Sequence, residues 1–163
     1  RHIFIYRIMI SRRHTREFLL QSLYARSELG SDFERDAFID SYFSEEGMMS
    51  QIDIPYIETM EGYILKNKEK LISIVAGLAP KFELQTMPVM HILILMIALS
   101  EMLYAAELAI PEAVSVNEAI ELAKKFSDDQ GKVFINGTLS TFLKQKETLL
   151  ANNTKVDFQV FQK

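Results

Sequence analysis

Val116–Leu139 reads VNEAIELAKKFSDDQGKVFINGTL. Its opening places Val116, Ala119, Ile120 and Ala123 on one side of a helix and Glu121, Lys124 and Lys125 on the other. An acidic joint with Asp128, Asp129 and Gly131 interrupts that pattern, and Phe134, Ile135 and Leu139 restart it. Two amphipathic helices with so short a joint must bury their apolar faces against other helices, so this stretch points to an all-α fold. Ser115 and Glu118 have the spacing of a capping box, which predicts a helix starting there and running to Phe126. Asp128 and Asp129 are adjacent, point in different directions, and suit capping of the next helix better than acid–base chemistry.

Outward from this stretch the chain keeps helical period. Phe18, Leu19, Leu23 and Tyr24 make an apolar stripe that predicts a helix over 11–29, stopped by Gly30. Ser31 with Glu34 predicts a second helix over 32–44, followed by a loop at Gly47–Gln51. Ile57, Met60, Ile64, Leu71, Ile74, Val75 and Leu78 predict one long helix over 53–78, on which the run Lys66–Lys70 reads as a solvated face. Pro80 and Pro88 bracket a connector, and Pro88 opens a helix to Glu107 that is apolar on nearly every side and so belongs at a bundle centre. A last helix to Leu150 should bury Phe134, Ile135, Leu139, Phe142 and Leu143. Residues 151–163 read as a frayed C-terminal tail, and residues 1–10 as an extension with no assignable role. The expectation is one domain over 11–150, a compact bundle of six to seven helices.

Composition narrows the chemistry. With no cysteine among 163 residues, disulfides, thiolate nucleophiles and Cys-ligated metals are excluded, and a cytoplasmic setting is the simplest reading. Val89–Leu99 is too short for a membrane span, and RHIFIYRIMI lacks the long apolar centre of a signal peptide. Net charge is −4, yet residues 1–16 hold five Arg and two His with no acid, so the arm carries +5 and the remainder −9. His2, His14 and His91 are scattered, and neither a nucleophile with its base nor a phosphate-cradling glycine loop is present. The chain reads as non-enzymatic, without cofactor or metal. His91, in an apolar helix, reads as a hydrogen-bonded core histidine.

Arg12, Arg13 and Arg16 lie within about one helical turn, so Arg12 and Arg16 share a face, and guanidinium groups suit phosphates and unstacked bases. His14 adds a donor. Tyr24 suits base stacking or the core, and the lysines near the joint suit phosphate contact or plain solvation.

These residues resemble the NusB family of transcription antitermination factors. The resemblance rests on Ile110, Pro111, Val114, Val116, Asn117 to Lys124, Phe126, Phe134 to Gly137 and Leu139, together with Arg12, Arg13, Arg16, Glu17, Gln21, Leu23 and Tyr24. It implies a helical bundle that binds boxA-type single-stranded RNA in rRNA leader transcripts with NusE, a small-subunit ribosomal protein, in the RNA polymerase antitermination complex. It implies neither catalysis nor membrane. On this resemblance Arg12, Arg13, His14 and Arg16 contact RNA, joined by Tyr24, Lys124, Phe126, Asp129 and Lys132, while Asn117, Glu118 and Asn136 hold that surface. For Asn136 and Gly137, close helix packing with a buried amide is the structural alternative.

The chain departs from the family pattern between Pro88 and Tyr104, where His91, Ile92, Met96 and Ser100 replace charged and aromatic positions. Of the polar set only Glu101 remains, and Glu101 with Tyr104 marks the expected NusE side. Two extra residues precede Ile110, and the lysine before Phe134 sits one position early, at Lys132. Two rivals keep the fold: a protein-binding bundle without RNA recognition, and the detached RNA-binding domain of an rRNA cytosine methyltransferase, for whose catalytic domain 163 residues leave no room. DNA binding is disfavoured, because no basic recognition helix follows a tight turn.

Overall fold

The computed structural model describes residues 2–46 and 52–161, with side chains over 12–42 and 52–161. Among the described residues there are seven α-helices and no strand: α1 His2–Leu29, α2 Arg35–Glu46, α3 Ile54–Lys66, α4 Lys68–Leu78, α5 Val89–Leu103, α6 Glu112–Phe126 and α7 Asp129–Ala151. The fold is all-α. They group into two packed units, one ending at Thr59 and including Phe161, the other Met60–Val160.

In the first unit α1 begins at His2 rather than at Ser11, since no Gly or Pro interrupts the preceding residues. Its inner face buries Thr15, Arg16, Phe18, Leu19, Leu20 and Leu23. Phe18 meets Tyr42 of α2 edge-on, with ring centroids 4.9 Å apart, and Phe38 at 5.5 Å. Gly30, at φ 56°, ends α1 as its position predicts. The predicted capping box at Ser31 does not start α2. Gly30–Asp32 form a 3-10 turn, Phe33 N donates to Gly30 O, and the helix opens at Arg35. The expected loop at Gly47–Gln51 lies outside the described residues. Asp53 caps α3, its Oδ1 accepting from Tyr56 N at 3.1 Å.

In the second unit the single helix expected over 53–78 is two, because Asn67 leaves helical geometry (φ −109°, ψ 19°) and its Nδ2 donates to Tyr63 O at 2.9 Å. Helix α5 is the centre that its composition predicts, with every residue from Ile92 to Glu101 buried. It stops at Leu103 instead of Glu107. A 3-10 turn, Ala106–Leu108, and Ala109 in the left-handed region (φ 52°) follow it before Ile110. Helix α6 starts at Glu112, after Pro111, one turn before the predicted cap. Ser115 is therefore inside the helix, and its hydroxyl donates to Glu101 Oε1 at 2.9 Å, tying α6 to α5.

Asp128 caps α7 as expected, accepting from Gly131 N at 2.8 Å. Ile135, Leu139 and Phe142 are buried, but Leu143, at the rim of that stripe, is 40% exposed. The backbone of α7 breaks at Gln145 (φ −114°, ψ 19°). The segment expected to fray is instead held through its described part: Lys70 Nζ donates to Leu150 O and Asn152 O, and Ser73 Oγ to Thr154 O.

Candidate nucleic-acid interface

Helical spacing brings Arg12 and Arg16 together, and Tyr56 at the start of α3 receives both. The guanidinium carbons stand 4.5 Å and 5.8 Å from its ring centroid. Arg12 also pairs with Asp53, Nη2 to Oδ2 at 3.3 Å, and Asp53 N donates to Thr15 Oγ1 at 2.9 Å. One aspartate thus caps α3, orients Arg12 and fastens α3 to α1. Arg16 is only 4% exposed, so it is a buried cation of this unit, not the open RNA contact expected of it. Arg13 is exposed on the outer side of α1. His14 is half-buried, with Nδ1 3.7 Å from Glu17 Oε2. Tyr24 lies further along the helix with 40% of its surface exposed, so it is not a core residue.

The acidic joint in the second unit is tightly built. His91 Nε2 lies 2.6 Å from Ser127 Oγ, and its ring stacks on Phe134 with centroids 5.7 Å apart and planes 28° from parallel. Gly131 makes this possible: a Cβ there would run into Ser127 Oγ and come within 2.6 Å of His91 Nε2. Burial holds the His91 pKa below 6.5, although the nearby Asp128 carboxylate pulls the other way. His91 is the hydrogen-bonded histidine that the sequence predicts, but it sits at the edge of the core and fixes the joint. Against Phe134, edge-on at 5.8 Å, stands Phe82, which is 59% exposed.

Around the joint, Lys124 is exposed and pairs with Glu121 at 3.0 Å, while Lys125 lies 5.7 Å from the centroid of half-buried Phe126. Asn117 shares the outer stripe of Glu121 and Lys124, two turns earlier on α6. Asp129 is exposed and Lys132 half-buried. Asn136 is exposed and a Cβ at Gly137 would meet nothing within 4 Å, so the alternative of a buried amide at a close helix contact does not hold. Glu118 is buried. Glu101, expected on a partner-facing side, is 3% exposed and serves the Ser115 bond instead. Tyr104 is half-buried against Tyr63, rings 6.3 Å apart, and burial raises its phenol pKa.

Sequence reasoning missed Tyr56 and Asp53, which no spacing connects to Arg12, and it missed Phe82. An aromatic residue in a proline-bracketed connector was the available signal for Phe82. Among the described residues no three His, Asp or Glu side chains gather as metal ligands. No helix there is long and apolar enough to cross a membrane.

The NusB family profile matches residues 13–144. The transcription antitermination protein NusB of Clostridium perfringens is 35% identical over 138 residues, 85% of this chain and all of that protein. The NusB of Enterococcus faecalis is 30% identical over 145 residues, covering 83% of this chain and 91% of its own length. That of Herpetosiphon aurantiacus is 32% identical over 139 residues, 84% and 92% respectively. All three are transcription antitermination proteins. From its helices to its joint, the chain belongs to the NusB family of transcription antitermination factors.

Proposed function

We propose that this antitermination factor binds boxA-type single-stranded RNA of rRNA leader transcripts in the cytoplasm, together with NusE, within the RNA polymerase antitermination complex. The observation that carries the reading is the half-exposed ring of Phe82 set edge-on against Phe134, in the same unit as Lys124, Lys125 and Lys132. Exposed rings suit unstacked bases and ammonium groups suit phosphates, with stacking contributing about 1–3 kcal/mol per base. Among the described side chains of α1, Arg13 and Tyr24 are exposed. Asn117, Asp129 and Asn136 are polar and exposed, suited to base edges. Arg12, Arg16 and Glu118 act from within by holding helices in place.

The test is a titration with boxA RNA and a scrambled control, with and without NusE, at two salt concentrations. Tighter binding of boxA, strengthened by NusE and weakened by salt, is expected. Equal affinity for both RNAs under all conditions would leave the rival reading, a bundle that binds only proteins. That rival draws on the internal engagement of Arg12 and Arg16.

A further inference from the structure

The family match ends at residue 144, and the backbone of α7 breaks at the next residue, Gln145. Beyond that break the chain is anchored by side chains of α4 and α6. Leu149 is buried, and its Cδ2 would stand 3.0 Å from a Cβ placed on Gly77 of α4, so the glycine leaves the room that leucine uses. Lys146 Nζ reaches Glu112 Oε2 of α6 at 3.7 Å. Lys70 Nζ then donates to Leu150 O at 2.9 Å and Asn152 O at 2.6 Å, supplying a cation to the carbonyl end of α7. One turn along α4, Ser73 Oγ donates to Thr154 O at 3.1 Å. Asn152 Oδ1 accepts from both the amide and the hydroxyl of Thr154, turning the chain along α4. Between α4 and residues 153–159 lies a cleft of about 330 Å³, and Val160 beyond it is buried.

We infer that the face of α4 carrying Lys70, Ser73 and Gly77 is a receiving surface for this chain's own residues 146–160, which form a clasp added to the family core. Lys70 and Ser73 take main-chain oxygens, so the recognition reads an extended backbone and tolerates sequence change in the residues held. Specific contact is left to Leu149 over Gly77. A segment held by two side-chain donors, one surface ion pair and buried Leu149 and Val160 opens by itself, without unfolding α5, whose residues 92–101 are all buried.

Hydrogen exchange on the full chain tests this. Lys70→Met removes the ammonium group, Gly77→Leu occupies the place of Leu149, and Lys68→Met alters an exposed lysine of the same helix as a control. In the first two variants the amides of 149–158 are expected to exchange about fivefold faster, as loss of a charge-assisted bond at a partly exposed site implies. Those of 92–99 keep the parent rate, as do all amides of Lys68→Met. Three results would overturn the clasp: no protection of 149–158 in the parent, unchanged rates in both Lys70→Met and Gly77→Leu, or equal acceleration of 149–158 and 92–99.

Discussion

The Arg12–Arg16 stretch of α1 and the flanks of the joint before α7 are both marked by positive charge in the sequence, and the structure uses that charge in opposite ways. Around α1, Arg12 is held by Asp53 and Tyr56, and Arg16 is buried over the same ring, so two of three clustered arginines build the unit that carries them. Around the joint, half-buried His91 and Ser127 and buried Gly131 set the backbone, while Lys124, Lys125 and Phe82 remain at the surface. A count of cations therefore overstates how much charge the first region offers to solvent. Burial separates the two roles, because a guanidinium removed from water needs partners that a surface ammonium does not.

The comparison can be broken most directly at Arg16. Arg16→Ala should destabilise the chain by about 3 kcal/mol, as removal of one member of a buried charged arrangement does, measured as a lower midpoint in urea. An unchanged midpoint with weakened RNA binding would return Arg16 to the surface. Next in size, Gly131→Ala should cost about 2 kcal/mol, because the new methyl group collides with Ser127 and His91. Adding Ser127→Gly should recover part of that loss, and no recovery would mean that the joint yields elsewhere.

Phe82→Ala is expected to leave the melting temperature nearly unchanged while weakening boxA RNA binding about fivefold, near the lower end of what one stacked base contributes. Arg13→Glu on α1 should raise Kd and reduce its salt dependence without loss of helicity. Were Phe82→Ala to bind RNA like the parent, the joint would lose its claim as the stacking surface. The smallest effect concerns pH. The folded-state pKa of His91 lies below 6.5, so unfolding takes up a proton as the pH falls through the interval between the two values. Stability tied to His91 is thus present above pH 6.5 and lost on acidification through the lower folded value. His91→Asn should remove that part of the slope in urea midpoints taken from pH 7 to pH 5, and an identical slope would place the titration elsewhere.

Much of the fold is legible in local pattern. The all-round apolar run after Pro88 reads as a buried helix, and Asp128 as a cap, because both depend on residues within a turn or two of each other. The two capping boxes fail for different reasons, one nonlocal and one local. Ser115 has the right spacing, but its hydroxyl is claimed by Glu101 from another helix, and Gly30 turns the chain before Ser31 can open α2. Asn67 divides a long apolar stripe without changing its period, so periodicity passes over the break. Of the candidate surface, Arg13, Tyr24, Lys124 and Asn136 are found exposed, whereas Arg16, Glu101 and Glu118 are turned inward.

By itself the sequence determines the helical class, the family and the places where cations gather, since these depend on periodicity, helix-end chemistry and composition along a local stretch of chain. Which of those cations meet solvent is decided only by tertiary packing. Tyr56 and Asp53 lie some forty residues from Arg12, and Lys70 some eighty from the carbonyls it holds. Contacts between residues so far apart are set by how helices pack, and that information is carried by no motif.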